Sequence, residues 1–151
     1  MAEKSGKMDR KMTEFISEIK TVPYTQKQVY AVLSDLNNLE KLRNYIPEGK
    51  IHNLEFDSNY VGLSIAPVGK LRIAIVEREM PKTIKFATEQ SPIAVDIWIQ
   101  LLPDGDMQTK MKLTLRAELN LFLKPMLSKP LQEGINQIAE VLTIIPYSDL
   151  L

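Results

Sequence analysis

The sequence predicts one α+β domain in which a curved antiparallel sheet of about seven strands wraps around a long C-terminal helix. Three observations support this. A first strand-like segment leads into two short helices, residues 50 to 119 alternate apolar and polar side chains, and the remainder repeats apolar side chains at helical spacing. A sheet with one apolar face must bury that face. Because only the final helix is left to cover it, we expect an apolar space between helix and sheet.

Composition supports a single globular domain and excludes several kinds of site. The chain has 151 residues, of which 44% are hydrophobic and 25% are charged, the balance of a soluble protein with a sizeable core. The 19 Lys and Arg residues are balanced by 19 Asp and Glu residues, so no nucleic-acid partner is indicated. The sequence has no cysteine, which excludes disulfides, thiolate metal ligands and cysteine nucleophiles. We expect neither a metal nor a cofactor.

The N-terminal residues are polar and charged. They contain no apolar core of a signal peptide. The chain also has no uninterrupted apolar stretch near the ~20 residues that span a membrane. We therefore expect a cytoplasmic protein without a membrane span, with residues 1–11 as a disordered lead and residues 12–151 as the domain.

The first strand is predicted from Thr13 to Val22. Phe15, Ser17 and Ile19 share one face of it, and Pro23 ends it. The next segment, Thr25-Gln26-Lys27-Gln28, is a capping box that begins a first short helix.

A second short helix follows closely. We expect it to begin at Asn37, with Glu40 three residues later in a cap-like pairing. Six strands come next, separated by short turns that favour an antiparallel meander. They are predicted near residues 50–57, 60–66, 70–80, 83–90, 93–102 and 107–119.

The register of the third of these six strands is ambiguous. Leu71, Ile73 and Ile75 share a face, but Glu77 and Glu79 continue the same parity. Either a β-bulge reverses the alternation after Ile75 or the end of the strand leaves the core, and we favour the bulge.

The last segment is an amphipathic helix that begins around residues 121–125 and ends at Pro146. Pro130 removes one backbone donor, so we expect either a kink there or a true start just before it with Ser128 as the cap. The apolar positions recur at helical spacing, at Leu127, Leu131, Gly134, Ile135, Ile138 and Leu142.

The order of these elements resembles that of the START-like helix-grip superfamily, also called SRPBCC. Residues 19–25 leading into residues 29–35 are similar to its opening strand and first helix, and residues 68–70 with residues 76–86 are similar to its middle hairpin. Members include hormone and flavonoid carriers, lipid-transfer domains, polyketide cyclase-like proteins and chaperone-activating domains, and the nearest likeness is to small, uncharacterised bacterial members. The resemblance implies binding or transport of a small hydrophobic ligand: a lipid, a polyketide-like molecule or an isoprenoid-like molecule.

The resemblance places the ligand cavity between the sheet and the C-terminal helix. An ordinary packed core is the alternative interpretation of the same side chains. An empty pocket of about 300 Å³ would cost up to about 7 kcal/mol, so we expect it to be filled or largely collapsed. The candidate cavity residues are Phe15, Ile19, Tyr45, Leu63, Ile65, Leu71, Ile73, Phe86, Ile97, Ile99, Met111, Leu113, Leu115, Leu131, Gly134, Ile135 and Ile138.

Two of these candidates, Tyr45 and Gly134, are included for a specific reason. Tyr45 ends the second helix, where the superfamily's cavity usually opens, and its hydroxyl could orient the polar end of a ligand. Gly134 lies mid-helix, where glycine costs about 1 kcal/mol relative to alanine. Either a close approach of the helix to the sheet or room for a ligand would explain it.

Two other functions stay open. A cyclase or hydrolase could use Tyr45, His52 or Glu55 at the cavity mouth, although the sequence shows no matched acid and base, and no catalytic residue is assigned. An interaction module could act through the outer sheet face near Trp98. The zero net charge also makes a homodimer possible.

Overall fold

The computed structural model describes residues 12–45 and 51–151 and confirms the predicted fold class. The predicted disordered lead, residues 1–11, lies outside the described residues. The elements in chain order are β1 (Met12–Ile16), β2 (Lys20–Val22), α1 (Gln26–Leu33), a 3-10 turn (Leu36–Asn38), α2 (Leu39–Leu42), a second 3-10 turn (Arg43–Tyr45), β3 (Ile51–Phe56), β4 (Tyr60–Ile65), β5 (Gly69–Glu79), β6 (Thr83–Gln90), β7 (Val95–Asp104), β8 (Gln108–Glu118), α3 (Leu123–Thr143) and a last 3-10 turn (Tyr147–Leu150).

The strands form one antiparallel sheet, curved and open, in the order β1-β8-β7-β6-β5-β4-β3, and β2 also pairs with β8. From β3 to β8 each strand pairs with the next, which is the predicted meander. Of the helices in residues 12–45 and 51–151, none is both long and apolar enough to cross a bilayer.

The first strand is broken in two, so the prediction of one continuous strand is wrong. Ile16 pairs with Thr114 and Lys20 pairs with Met111, so four steps along the first strand match three steps along β8. The extra residue inverts the alternation. As a result Val22 is fully buried, whereas Ile19 lies in the break with 66% of its surface exposed.

The predicted capping box at the start of α1 is confirmed. The Thr25 hydroxyl accepts from the backbone N–H of Gln28 at 3.2 Å, and the Gln28 side chain accepts from the N–H of Thr25 at 2.9 Å. The predicted cap at Asn37 is wrong, because the chain turns earlier. The Asp35 carboxylate accepts from the Asn37 N–H at 3.0 Å and begins the 3-10 turn instead.

The predicted bulge in β5 is confirmed. Ile75 pairs with Phe86 and Glu77 pairs with Lys85, so one residue is inserted between them. Beyond the bulge, Arg78 lies opposite the buried Ile84.

Helix α3 runs without a break through Pro130, so a helix start at Ser128 is wrong. Its first turn is fixed by Asn120, whose side-chain oxygen accepts from the N–H groups of Phe122 at 2.9 Å and Leu123 at 2.8 Å. The Ser128 hydroxyl donates to the Lys124 carbonyl inside the helix.

The main core lies where α3 contacts β1, β2 and β8. The side chains that the sheet and helix bury there are apolar and almost fully enclosed. They include Phe15, Val22, Met111, Leu115 and Ala117 from the strands and Leu127, Ile135 and Ala139 from α3.

Candidate functional site

A cavity of about 210 Å³ lies between the sheet, the two short helices and the C-terminal half of α3. The sheet contributes its concave face, and α1, α2 and the turn between them form the opposite wall. Apart from Asp35 and Asn38, every lining side chain is apolar. The lining residues are Val32, Leu33, Asp35, Leu36, Asn38, Leu39, Leu42, Leu54, Val61, Leu63, Ile73, Phe86, Ile97, Ile99, Leu113, Ile138 and Leu142.

The structure brings seven of the candidate cavity residues together around this space. Six of them come from β4 to β8, where the predicted alternation places them on the concave face, and one comes from α3. They are Leu63, Ile73, Phe86, Ile97, Ile99, Leu113 and Ile138.

Five other candidates belong to the packed region between α3 and the sheet. Phe15, Met111, Leu115 and Ile135 are buried there, and Leu131 is half-buried against the same core. They line no part of the cavity because α3 packs directly against this part of the sheet.

The remaining five candidates are more exposed or lie apart from the cavity. Ile19 is in the strand break, and Ile65 and Leu71 are half-buried toward the turn between β4 and β5. Tyr45 is half-buried at the end of its 3-10 turn, outside the lining. A Cβ added at Gly134 would have no atom within 4 Å, so a close approach to the sheet does not explain this glycine.

The helical wall of the cavity was not included among the candidates. The apolar stripes of α1 and α2 are visible in the sequence, but they also fit an ordinary core. One signal in the sequence could have identified this wall. The apolar residues Leu36, Leu39 and Leu42 lie on one side of a chain segment that is too short to cover the sheet alone.

Hydrogen bonds hold this wall against the far edge of the sheet. The Leu36 N–H donates to the Ser58 carbonyl at 3.2 Å. The Arg78 guanidinium, brought to this position by the bulge, donates to the Ser34 carbonyl at 3.1 Å and to the Ser58 carbonyl at 3.3 Å. It also donates to the Asn59 side chain at 2.9 Å. One cation therefore ties the end of α1 to the turn between β3 and β4.

The C-terminal turn closes the other end of the wall. Tyr147 is fully buried, its ring meets that of Tyr24 edge-on at 5.6 Å, and its hydroxyl donates to the Leu142 carbonyl. That carbonyl has no helical donor, because the residue four positions later is Pro146. Burial raises the pKa of the Tyr147 hydroxyl, so it stays protonated as a donor.

The polar side chains of the lining are engaged in local structure. Asp35 accepts from Asn37, as described above, and the Asn38 amide donates to the Val32 carbonyl at 2.8 Å. His52 is exposed and lies outside the lining. Glu55 pairs with Gly62, which alternates with the cavity-lining Val61 and Leu63, so it lies on the opposite face. Within residues 12–45 and 51–151 no cluster of residues could hold a metal ion.

The outer sheet face carries Trp98 between two cations. The Lys85 ammonium lies 5.1 Å from the ring centroid and the Arg116 guanidinium lies 5.3 Å from it. Arg116 also pairs with Glu14 at 2.8 Å. Trp98 is therefore half-buried by its neighbours and separated from the cavity by the sheet.

This architecture is the START-like helix-grip fold, and comparison with solved structures supports the assignment. Norcoclaurine synthase from Thalictrum flavum, in complex with dopamine and hydroxybenzaldehyde, matches with a TM-score of 0.70 and 10% identity over 90% of this chain and 87% of the other. A START superfamily protein from Mycobacterium smegmatis matches with a TM-score of 0.67 and 16% identity over 87% of this chain and 94% of the other.

A conserved protein from Geobacillus kaustophilus matches with a TM-score of 0.64 and 17% identity over 91% of this chain and 95% of the other. No protein-family model matches the sequence, and no curated protein matches it. The comparisons therefore identify the fold and leave the activity to the geometry of the site.

Proposed function

We propose that the protein binds a compact, apolar small molecule in the cavity between the sheet and the short helices. The observation that carries this proposal is the lining itself. It is apolar at fifteen of seventeen positions, and its two polar side chains are engaged with the backbone.

The chemistry of the lining favours an apolar ligand over water. A buried water needs two to four polar partners, and a dry cavity of about 150 Å³ lined by aliphatic and aromatic residues binds benzene. Fully enclosed and left empty, a space of about 210 Å³ would cost up to about 5 kcal/mol at 24 cal/mol per Å³. That is a large part of the stability of a typical domain. A ligand that fills the space restores these lost contacts.

The size of the cavity limits the ligand. Typical ligand pockets measure about 300–1,000 Å³, so about 210 Å³ suits one or two rings with small substituents. This favours a polyketide-like or isoprenoid-like molecule over a long acyl chain. Norcoclaurine synthase, which shares the fold, holds dopamine and hydroxybenzaldehyde, both small aromatic molecules. Ile138, 45% exposed on the inner side of α3, lies at the rim and marks the entry.

The proposal can be tested with defined probes. Toluene and indole are titrated into the purified protein, and binding is followed by shifts of the methyl resonances of the cavity residues. Ile97→Phe adds volume inside the cavity and should weaken probe binding at least tenfold. Leu102→Phe adds the same ring to the same strand, at a side chain that is 65% exposed and outside the cavity lining, and should leave binding unchanged.

Native mass spectrometry of the protein as purified complements the titration. A retained mass that is lost in Ile97→Phe would identify the natural ligand class. Absence of binding by either probe and of any retained mass would refute the proposal.

One alternative has a specific observation in its favour, since the norcoclaurine synthase that shares this fold is an enzyme. A cyclase or hydrolase that used Tyr45, His52 or Glu55 would have to act outside the cavity, because none of the three lines it and Glu55 lies on the opposite face of the sheet. Substrate turnover in a metabolite panel that disappears when all three are changed to alanine would support it. Unchanged turnover would reject that assignment of residues.

A further inference from the structure

A second surface, far from the cavity, has the composition of a lipid-binding element. Leu121, Phe122 and Met126 lie at the start of α3 with 84%, 84% and 64% of their surfaces exposed. We call these three side chains the apolar tip. Single exposed apolar residues are ordinary, but three neighbouring ones that expose most of their surface are not.

The apolar tip is held in place by the fold. Asn120 accepts from the N–H groups of Phe122 and Leu123, and its own carbonyl accepts from the Lys124 N–H at 3.0 Å. Leu123 and Leu127, on the same two turns, face the core. The tip side chains are therefore directed outward by a fixed turn and helix.

Two lysines lie close in sequence to the apolar tip. Between Glu118 and Glu133 the sequence contains two lysines, Lys124 and Lys129, and no acidic residue. The Lys129 ammonium lies 4.0 Å from the Glu133 carboxylate with 84% of its side chain exposed, so this ion pair is weak. The surface thus combines apolar side chains with flanking cations.

We propose that the apolar tip docks on an anionic lipid bilayer, with Leu121, Phe122 and Met126 entering the interface and the two lysines contacting lipid phosphates. Apolar side chains flanked by lysines bind anionic interfaces through these two contributions together. A second copy of the chain fits less well. A stable protein interface engages about 20–30 residues on each side, far more than the tip provides.

This surface is independent of the proposed ligand site. Phe122 and Ile138 are sixteen residues apart on α3, which corresponds to about 24 Å along a helix. Docking at the tip therefore leaves the cavity rim some distance from the lipid, and failure of either proposal carries no consequence for the other.

Vesicle cosedimentation of the full chain tests the proposal. We expect binding to vesicles of equal parts phosphatidylcholine and phosphatidylglycerol that is roughly tenfold or more stronger than to phosphatidylcholine alone, and that weakens with added salt. Changing Leu121, Phe122 and Met126 together to serine should abolish binding. Lys124→Gln with Lys129→Gln should retain only the weak binding seen with neutral vesicles.

Met107→Ser provides the matched control. Met107 is also 71% exposed, but it lies in the turn after β7 beside Asp104 and Asp106, so its loss should leave vesicle binding unchanged. Thermal unfolding confirms that each variant is folded. Equal binding by the triple serine variant, or no binding by the unmodified chain, would overturn the proposal. The proposal would also be overturned if the unmodified chain bound no vesicles but formed a dimer in light scattering, and the triple serine variant lost that dimer. The tip would then join two copies of the chain.

Discussion

The two halves of the concave sheet face have the same apolar alternation but different surroundings. Under α3, Met111 and Ala117 are fully buried and Leu115 is 6% exposed. Toward β4 and β5, Leu63 and Ile73 are only half-buried and border the cavity. An apolar alternation therefore indicates which face of a sheet is covered, without indicating how tightly it is packed.

The width of a helix explains the difference. An α-helix with its side chains is about 10–12 Å across, and neighbouring strands lie about 4.8 Å apart. One helix therefore covers about two strands of a seven-strand face. Helix α3 lies over β8 and its partners β1 and β2, so the rest of the sheet depends on α1, of eight residues, and α2, of four. These short helices bridge the remaining width and leave the cavity beneath them.

The sharpest test of this comparison uses two isoleucines of α3, three positions apart. Ile135 is 1% exposed in the packed half, whereas Ile138 is 45% exposed at the cavity rim. We expect Ile135→Ala to lower the free energy of unfolding by about 2–5 kcal/mol. Ile138→Ala should lower it by less than about 1 kcal/mol. Urea unfolding followed by circular dichroism measures both.

The effects of the two variants on ligand affinity should have the opposite order to their effects on stability. Ile138→Ala changes the rim of the cavity and should alter the affinity for toluene, whereas Ile135→Ala, studied at a temperature where it remains folded, should not. Equal losses of stability in the two variants would mean that the two halves are packed alike, and the comparison would fail.

The sequence predicted the alternation of strands well because period two and short turns are local properties. The bulge after Ile75 was visible in the same way, since Glu77 and Glu79 could not continue on an apolar face. The break between β1 and β2 was not visible. Ser17 and Ile19 keep an alternation that fits a continuous strand, and only the pairing with β8 reveals the extra residue.

The candidate site was predicted in part for the same reason. The strand residues around the cavity follow from parity, but whether a residue meets α3 or the cavity depends on where a helix sits across the sheet. Contacts between residues far apart in the sequence set the positions of the helices. For α1 they include the hydrogen bonds from Arg78 to the carbonyls of Ser34 and Ser58. The closing role of Tyr147 also depends on a distant ring, that of Tyr24.

At the end of α3 the Tyr147 hydroxyl satisfies the Leu142 carbonyl. In the described structure, the hydroxyl of Tyr147 is the only one that donates to the Leu142 carbonyl, and Tyr147→Phe removes it. Pro146 has no N–H that could donate to this carbonyl instead. We expect a loss of about 1–3 kcal/mol in the free energy of unfolding at neutral pH, the cost of an unsatisfied buried group. Urea unfolding measures it, and a loss below the experimental error would show that water reaches this carbonyl.

Tyr147 should also make the free energy of unfolding depend on pH. Burial raises the pKa of Tyr147 in the folded state, while the unfolded chain has the ordinary value of about 10. Below that pH both states are protonated and its contribution to stability is complete. Above it the unfolded state loses the proton first, so stability falls with rising pH by up to about 1.4 kcal/mol per unit. Tyr147→Phe should show a shallower fall than the unmodified chain.

The smallest expected effect is a gain in stability at Gly134. A Cβ at this position meets no atom within 4 Å, and a glycine inside a helix costs up to about 1 kcal/mol relative to alanine. Gly134→Ala should therefore raise the free energy of unfolding by about 0.5–1 kcal/mol, measured by urea unfolding. Because Gly134 lies outside the cavity lining, affinity for toluene should stay the same. If affinity fell while stability rose, the glycine would be leaving room for a ligand, and the cavity would extend further along α3 than its present lining.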